Sequence, residues 1–313
     1  MKNQNIFSKS WNLLKDTFLE FNDDNAIKLS AALSYYTIFA LPPLLIIIIT
    51  ICGFFFGEEA VTGKLYGQIN ELVGNEAAIQ IQEAIKNVKL SDSNIFVTIF
   101  GVVMLLIGAS GVFAEIQSSI NFIWGLRAKP NKGVKKFIQN RMMSFSMIVS
   151  VGFLMLVSLM LNATLDILST RLKLYFPEST VYLFYVVNLF IVLASITLLF
   201  AIIFRTLPDG IIKWKDAFIG ASCTAVLFMI GKFAIGFYLG SSTIASLYGA
   251  AGSVIIILVW VYYSAIILYF GAEFTKVYAR SYGGKISPNE YSVEIKKEIF
   301  EVEKSNRDKA EKD

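Results

Sequence analysis

The 313-residue chain contains no histidine. That absence removes Ser-His-Asp triads, histidine general bases, His-ligated zinc and haem from the expected chemistry. Cysteine is nearly as scarce. Cys52 and Cys223 each stand alone inside an apolar stretch, and neither has a CxxC neighbour. No disulfide framework or thiolate metal site is expected, and both read as small packing residues. Charge is thin as well: 17% of residues are Asp, Glu, Lys or Arg, against roughly 25% in a soluble domain. The chain also lacks a phosphate-binding loop. Gly63-Lys64 and Gly231-Lys232 have neither the upstream glycine nor the following Ser or Thr that a P-loop requires. An ATP-driven step on this chain alone is therefore not expected, and no cofactor or metal is assigned.

What the chain has in abundance is apolar length. It is 55% hydrophobic, with 26 Phe and 14 Tyr suited to lipid-facing and interfacial surfaces. Between Val254 and Phe270 there is no charged residue. A hydrocarbon core of ~30 Å takes about 20 mostly apolar residues in a helix. Six such spans are predicted, over 30–56, 95–118, 142–168, 181–204, 217–240 and 250–272. The fold class is an all-α polytopic membrane bundle with six transmembrane helices and short amphipathic surface helices. Three segments follow: a cytoplasmic amphipathic N-terminal stretch at 1–29, the transmembrane domain at 30–283, and a charged cytoplasmic tail at 284–313.

The surface segments carry their own patterns. Phe7, Trp11, Leu14 and Phe18 recur at helical spacing among lysines, as in a helix lying on a membrane surface. The first apolar run is too broken for a cleavable signal peptide. In 57–94, Val61, Leu65, Ile69 and Leu72 share one helical face, and Ala78, Ile81, Ile85 and Val88 another. Two amphipathic outer helices are expected there, capping a cavity or resting on the bundle. From Ser287 onward Glu and Lys alternate, as in a solvated helix or a disordered tail.

Lysine and arginine set the orientation. With the N-terminus inside, segments 1–29, 127–141, 205–215 and 276–285 hold 4, 6, 3 and 3 basic residues. The outer segments 57–94, 169–180 and 241–249 hold 3, 2 and none. Both termini are expected on the cytoplasmic side. Arg127, Lys129, Lys132, Lys135, Lys136 and Arg141 form a run without acidic residues, best explained as contact with lipid headgroups and not nucleic acid. Trp11, Trp124 and Trp214 fall at the same interface, and Trp260 sits at mid-span.

Charges in hydrocarbon cost at least ~2.5–3.5 kcal/mol, so they normally face protein and carry function. Glu115, Lys232 and Glu273 lie within or at the ends of spans, and Asp166 and Arg205 near the interfaces. Depth predicts two polar layers: Glu115 level with Arg205 and Glu273 at the inner side, and Lys232 near Asp166 at the outer. These five residues are candidates for lining or gating a path. The plainer reading has Lys232 snorkelling outward and Glu273 marking a helix end. Pro42-Pro43 should break the first span, because proline removes a donor and clashes with the preceding turn. The break is either a structural kink or the shaping of a cavity. Small residues at Gly108–Gly111, Gly220–Ser222 and Gly236-x-x-x-Gly240 read as close helix contacts.

Several segments together resemble the YihY / virulence factor BrkB family of bacterial inner-membrane proteins, also labelled ribonuclease BN-like. They are Ala31-Ala-Leu-Ser-Tyr-Tyr-Thr-Ile-Phe-Ala-Leu-Pro42, Gly108-Ala-Ser-Gly-Val-Phe-Ala-Glu-Ile-Gln-Ser-Ser-Ile-Asn-Phe-Ile-Trp124 and Leu207-Pro-Asp209. Gly220-Ala221, Gly231-Lys232, Tyr238 and the closing YGAAGS, WVYYSA and GAEF runs complete the set. The resemblance implies six spans, cytoplasmic termini and a plasma-membrane location. The BrkB name implies links to the cell envelope, and some relatives are treated as candidate transporters of lipid or envelope precursors. The ribonuclease label fits poorly with a chain lacking histidine and clustered carboxylates. An ATP-independent transporter or lipid translocator is thus the expected function, with membrane lipids and a lipid or small solute as partners. An envelope scaffold, working through a homo-oligomer or an envelope protein, is the alternative. A lipid-acting membrane enzyme ranks last.

Overall fold

The computed structural model describes residues 6–40, 111–129, 179–241 and 250–295. Most of the first and second expected spans (41–56 and 95–110), all of the third, the outer helices of 57–94, Pro42, Pro43, Asp166, Lys132, Lys135, Lys136 and Arg141 lie outside those residues.

Helix α1 (Ile6–Asp23) ends at a tight corner, where Asn25 takes φ 51°. Asparagine enters the left-handed region more readily than most residues. The Asn25 carbonyl then accepts from Lys28 and Leu29, so α2 (26–40) begins at once. Helix α3 (111–123) closes on Trp124-Gly125 and passes into strand β1 (Leu126–Ala128). Gly125 has φ 67°, a conformation that a side chain would strain.

Three long helices follow: α4 (Ser179–Thr206), α5 (Trp214–Ser241) and α6 (Ala250–Ser281). Each contains a stretch long and apolar enough to cross a membrane: Leu189–Thr206, Trp214–Ile235 and Val254–Ser281. They match the fourth, fifth and sixth expected spans. α4 stops just before Pro208, because the residue ahead of a proline is pushed out of helical geometry. Strand β2 (Gly210–Ile211) bridges the turn to α5. α4 packs on α5, α5 on α6, and α1 on α6.

Lipid tails are as apolar as leucine, so membrane helices associate through close packing and hydrogen bonds. The α5–α6 contact shows how. A Cβ on Gly220 would collide with Thr275, and a Cβ on Gly271 would collide with Thr224. Both threonines are fully buried, and each Oγ1 donates to the carbonyl four residues back, Gly220 for Thr224 and Gly271 for Thr275. Two Gly-x-x-x-Thr units thus interlock reciprocally on antiparallel helices, with their hydroxyls satisfied locally. One of the expected small-residue clusters, at Gly220, is therefore a real close contact. Large apolar side chains such as Phe190, Ile230 and Phe233 point outward from α4 and α5.

Residues 282–295 differ from the expected tail. They form a strap: β3 (Ser287–Pro288) pairs antiparallel with β2, and β4 (Ser292–Glu294) with β1. The Glu/Lys pattern begins at Lys296, outside the described residues, whereas in 287–294 the backbone finds partners in the strand after α3 and in the α4–α5 turn. Asp216, buried in the first turn of α5, accepts from the Gly284 amide at 2.9 Å. A Cβ on Gly283 would meet the Asp216 carboxylate at about the same place, with Cγ 2.5 Å away. The Gly283-Gly284 pair is what lets the strap approach.

Candidate functional site

The strap, the α4–α5 turn and the ends of α1, α3 and α6 all meet at one end of the bundle. Arg127, Lys129, Lys213, Lys215, Lys276 and Arg280, all from the basic segments of the sequence, gather there among Glu20, Asp24, Asp209, Asp216 and Glu273. It is the basic end only in the sense that it collects those segments. Two polar clusters are built into it.

The first centres on Lys276 of α6. Its Nζ lies 2.6 Å from Glu273 Oε1, 3.0 Å from Glu20 Oε2 and 3.1 Å from Asp24 Oδ2. It also donates to the backbone carbonyl of Ile123 at 2.8 Å. That carbonyl belongs to the last turn of α3, where helix carbonyls lack intrahelical donors. Glu20 and Asp24 are one turn apart on α1 and its corner, and Glu273 one turn before Lys276. One ammonium therefore ties α1, α3 and α6 together. Arg280, a further turn along α6, pairs with Glu20. Trp124 adds an uncharged tie, its indole N–H donating to the Ala272 carbonyl at 3.0 Å.

Glu273 is the fully buried member of this cluster. Its Oε1 is at ion-pair distance from Lys276, yet neither carboxylate oxygen receives a well-directed hydrogen bond among the described residues. An ammonium has three protons, and four oxygens surround this one. The directed bonds go to Asp24 and Ile123.

Burial works to raise the Glu20 carboxyl, but the hydrogen bonds and charges of Lys276 and Arg280 outweigh it and hold its pKa below the ordinary value. A depressed folded-state pKa stabilises above the unfolded-chain value and is lost as pH falls through the folded one. Acid should therefore loosen α1 from α6. Protease cutting between them, followed against pH, should show this acid step in the wild type and a flattened one in Glu20→Gln.

The second cluster centres on Asp209. Its carboxylate accepts from Gln117 Nε2 at 3.3 Å and Asn121 Nδ2 at 2.8 Å, while its own amide donates to Asn121 Oδ1 at 2.7 Å. Its carbonyl accepts from Ser292 Oγ at 2.8 Å and the Asn289 amide at 2.9 Å. Asp209 thereby joins α3, the α4–α5 turn and the strap. Gly210 is packed against Ile286, Leu126 and Trp124, each within 3.0 Å of where its Cβ would be. Asn121→Ala should strip two directed bonds from this buried aspartate and destabilise the fold by about 1–3 kcal/mol. Thermal unfolding of the purified variant checks it.

The expected inner layer is only partly assembled this way. Glu115 is half-buried and accepts from Ser119 at 3.3 Å, near Tyr269 of α6. Glu273 sits one turn further along, in the Lys276 cluster. Arg205, in the last turn of α4, has its guanidinium 5.8 Å above the Trp214 ring in a cation–π contact. Lys232 is exposed on α5. Lys232→Met should not lower stability, because it removes a charge that must snorkel from hydrocarbon and breaks no partner among the described residues. Denaturant titration in detergent reads that directly. Of the basic run, Arg127 is exposed on β1, and Lys129 donates to the Glu290 carbonyl at 3.0 Å.

Sequence reasoning missed Lys276, Glu20 and Asp24 as site residues and treated Asp209 only as part of a motif. The signal was present: Glu273, Lys276 and Arg280 fall on one face of a helix, and Glu20 and Asp24 on one face of another.

A sequence model of the family described as Virulence factor BrkB matches residues 17–295. Among curated relatives, a UPF0761 membrane protein of Saccharophagus degradans is 27% identical, covering 84% of this chain and 58% of that protein. One from Teredinibacter turnerae is 28% identical over 87% of this chain and 62% of its own length. One from Tolumonas auensis is 26% identical over 79% and 78%. The chain thus spans about three fifths of the first two relatives. No solved structure matches.

Proposed function

The chain belongs to the virulence factor BrkB family, and from that premise we propose that it is an ATP-independent membrane transporter or translocator of lipids or envelope precursors. The observation that carries this reading is the partly buried ion-pair cluster at Lys276, with Glu273 fully buried in it, which ties α1, α3 and α6 together at one end of an apolar bundle. Buried ionisable residues in a membrane bundle are expensive and mark ion or substrate paths by default. Ion pairs with several alternative partners can also exchange them at low cost, which suits a gate. In this reading the basic end faces the cytoplasm of a bacterial plasma membrane, and the cluster closes the path there. The activity is non-enzymatic and involves no nucleic acid.

The test is flux in reconstituted vesicles. Wild-type protein should scramble fluorescent phospholipid or pass small ions faster than protein-free vesicles, and Glu273→Gln should change the rate. Wild-type vesicles inactive toward both probes would remove the transport reading and leave the envelope scaffold as the better account.

A further inference from the structure

Resting on the transport reading above, we propose that the coupling ion is a proton and that Glu273 is the residue that binds it. Four observations converge on Glu273, and the first is its location. It is fully buried, in a helix long and apolar enough to span a membrane. The second is its hydrogen bonding: among the described residues neither oxygen receives a directed donor.

The third is the charge balance around it. From α1 and its corner, Glu20 and Asp24 face the cluster; from α6, Lys276 and Arg280 do; from α3 come the Ile123 carbonyl and the uncharged Trp124. Further along α6, Tyr269 lies near Glu115. Among the described residues, three carboxylates thus meet two cations. The fourth is competition for Lys276. Its three protons face four oxygens, and its directed bonds go to Asp24 and Ile123.

A proton relieves the competition. An O–H bond forms on Glu273 with a proton taken up from water at this end of the bundle, the carboxyl becomes neutral, and one acceptor fewer contends for Lys276. Lys276, released from its nearest anion at 2.6 Å, is then held by Glu20, Asp24 and Ile123 alone. Loss of the proton reverses the step and draws Lys276 back toward α6. The cluster therefore has two arrangements that differ by one proton, with the α1–α6 contact shared between them. A metal cation is a poorer occupant. The ammonium already stands at the centre of the carboxylates, and no group of three acidic, His or Cys ligands is arranged for a metal among the described residues.

Infrared difference spectroscopy of the protein in lipid nanodiscs tests the site without needing a substrate. Titrated from about pH 4 to about pH 9, the range reached by buried carboxyls, the wild type should show a protonated-carboxyl stretching band that is absent in Glu273→Gln. Glu115→Gln should retain it. If Glu273→Gln does not fold, Glu273→Asp serves, because the band should move in frequency and not vanish. A band unchanged in every Glu273 variant would overturn the proposal, whatever the flux result. In vesicles, an imposed pH gradient should then drive phospholipid or ion flux in the wild type, with that dependence lost in the Glu273 variant. A titrating Glu273 band without any flux would keep the proton site and discard the transport reading. Flux indifferent to pH would overturn proton coupling while leaving transport intact.

Discussion

Lys276→Met is expected to destabilise the folded protein by about 3–5 kcal/mol, the usual cost of removing one partner from a buried ion pair. Two features place the loss in that range although the Lys276 side chain is one-fifth exposed. Methionine fills the volume of the lysine stem but leaves Glu20, Asp24 and Glu273 facing one another without their shared cation. It also strips the Ile123 carbonyl of its donor, and so loosens α3. Denaturant unfolding in mixed micelles would measure the effect. The double variant Lys276→Met/Glu273→Gln should recover part of the loss, since neutralising the fully buried carboxylate removes the most costly uncompensated charge. Arg280→Met should cost under about 1 kcal/mol, because Arg280 is half exposed and its pair with Glu20 is screened by water. A Lys276 variant as stable as the wild type would show that water already solvates the cluster.

The reach of sequence reasoning is clearest when the two polar clusters are compared with the spans. Apolar length is a one-dimensional property, so the fourth, fifth and sixth spans were legible directly in the chain. The Lys276 cluster was not, because its partners are separated by about 250 residues and meet only when α1 folds across the end of α6. Within each helix the i,i+3 and i,i+4 spacings pointed to a shared face, but no local rule says that two such faces meet. The strap was misread for a related reason. Residues 287–295 carry only Glu290 and Glu294 as charges, the Glu/Lys pattern begins at Lys296, and neither says whether the backbone pairs. Two short ribbons suffice to hold it, one on the strand after α3 and one on the α4–α5 turn. Asp209 gave a partial signal, since an aspartate after Leu-Pro at a helix end commonly meets free backbone groups. Its actual partners, Gln117 and Asn121, sit one helix turn apart on α3.

Gly271→Ala is expected to destabilise by about 1–3 kcal/mol, although glycine to alanine normally favours a helix by up to ~1 kcal/mol. The sign is decided by Thr224. The added methyl would overlap its Oγ1, and would come within 2.8 Å of both its Cβ and its Cγ2. Thr224 cannot turn away freely, because its hydroxyl is bonded to the Gly220 carbonyl at 2.8 Å and its side chain is fully buried. Either α5 and α6 separate, which weakens every neighbouring contact, or the hydroxyl gives up its acceptor. Thr224→Ala in the same chain removes Oγ1 and Cγ2 but leaves Cβ, so the double variant should regain part of the stability, with a coupling of about 0.5–3 kcal/mol. Gly220→Ala repeats the experiment against Thr275 on the other half of the interlock. Because α6 also carries Glu273 and Lys276, a displaced helix would move the ion-pair cluster as well. A full double-mutant cycle of Gly271→Ala with Lys276→Met should therefore be non-additive, even though the two residues do not touch. Strict additivity would mean that the interlock and the cluster open independently.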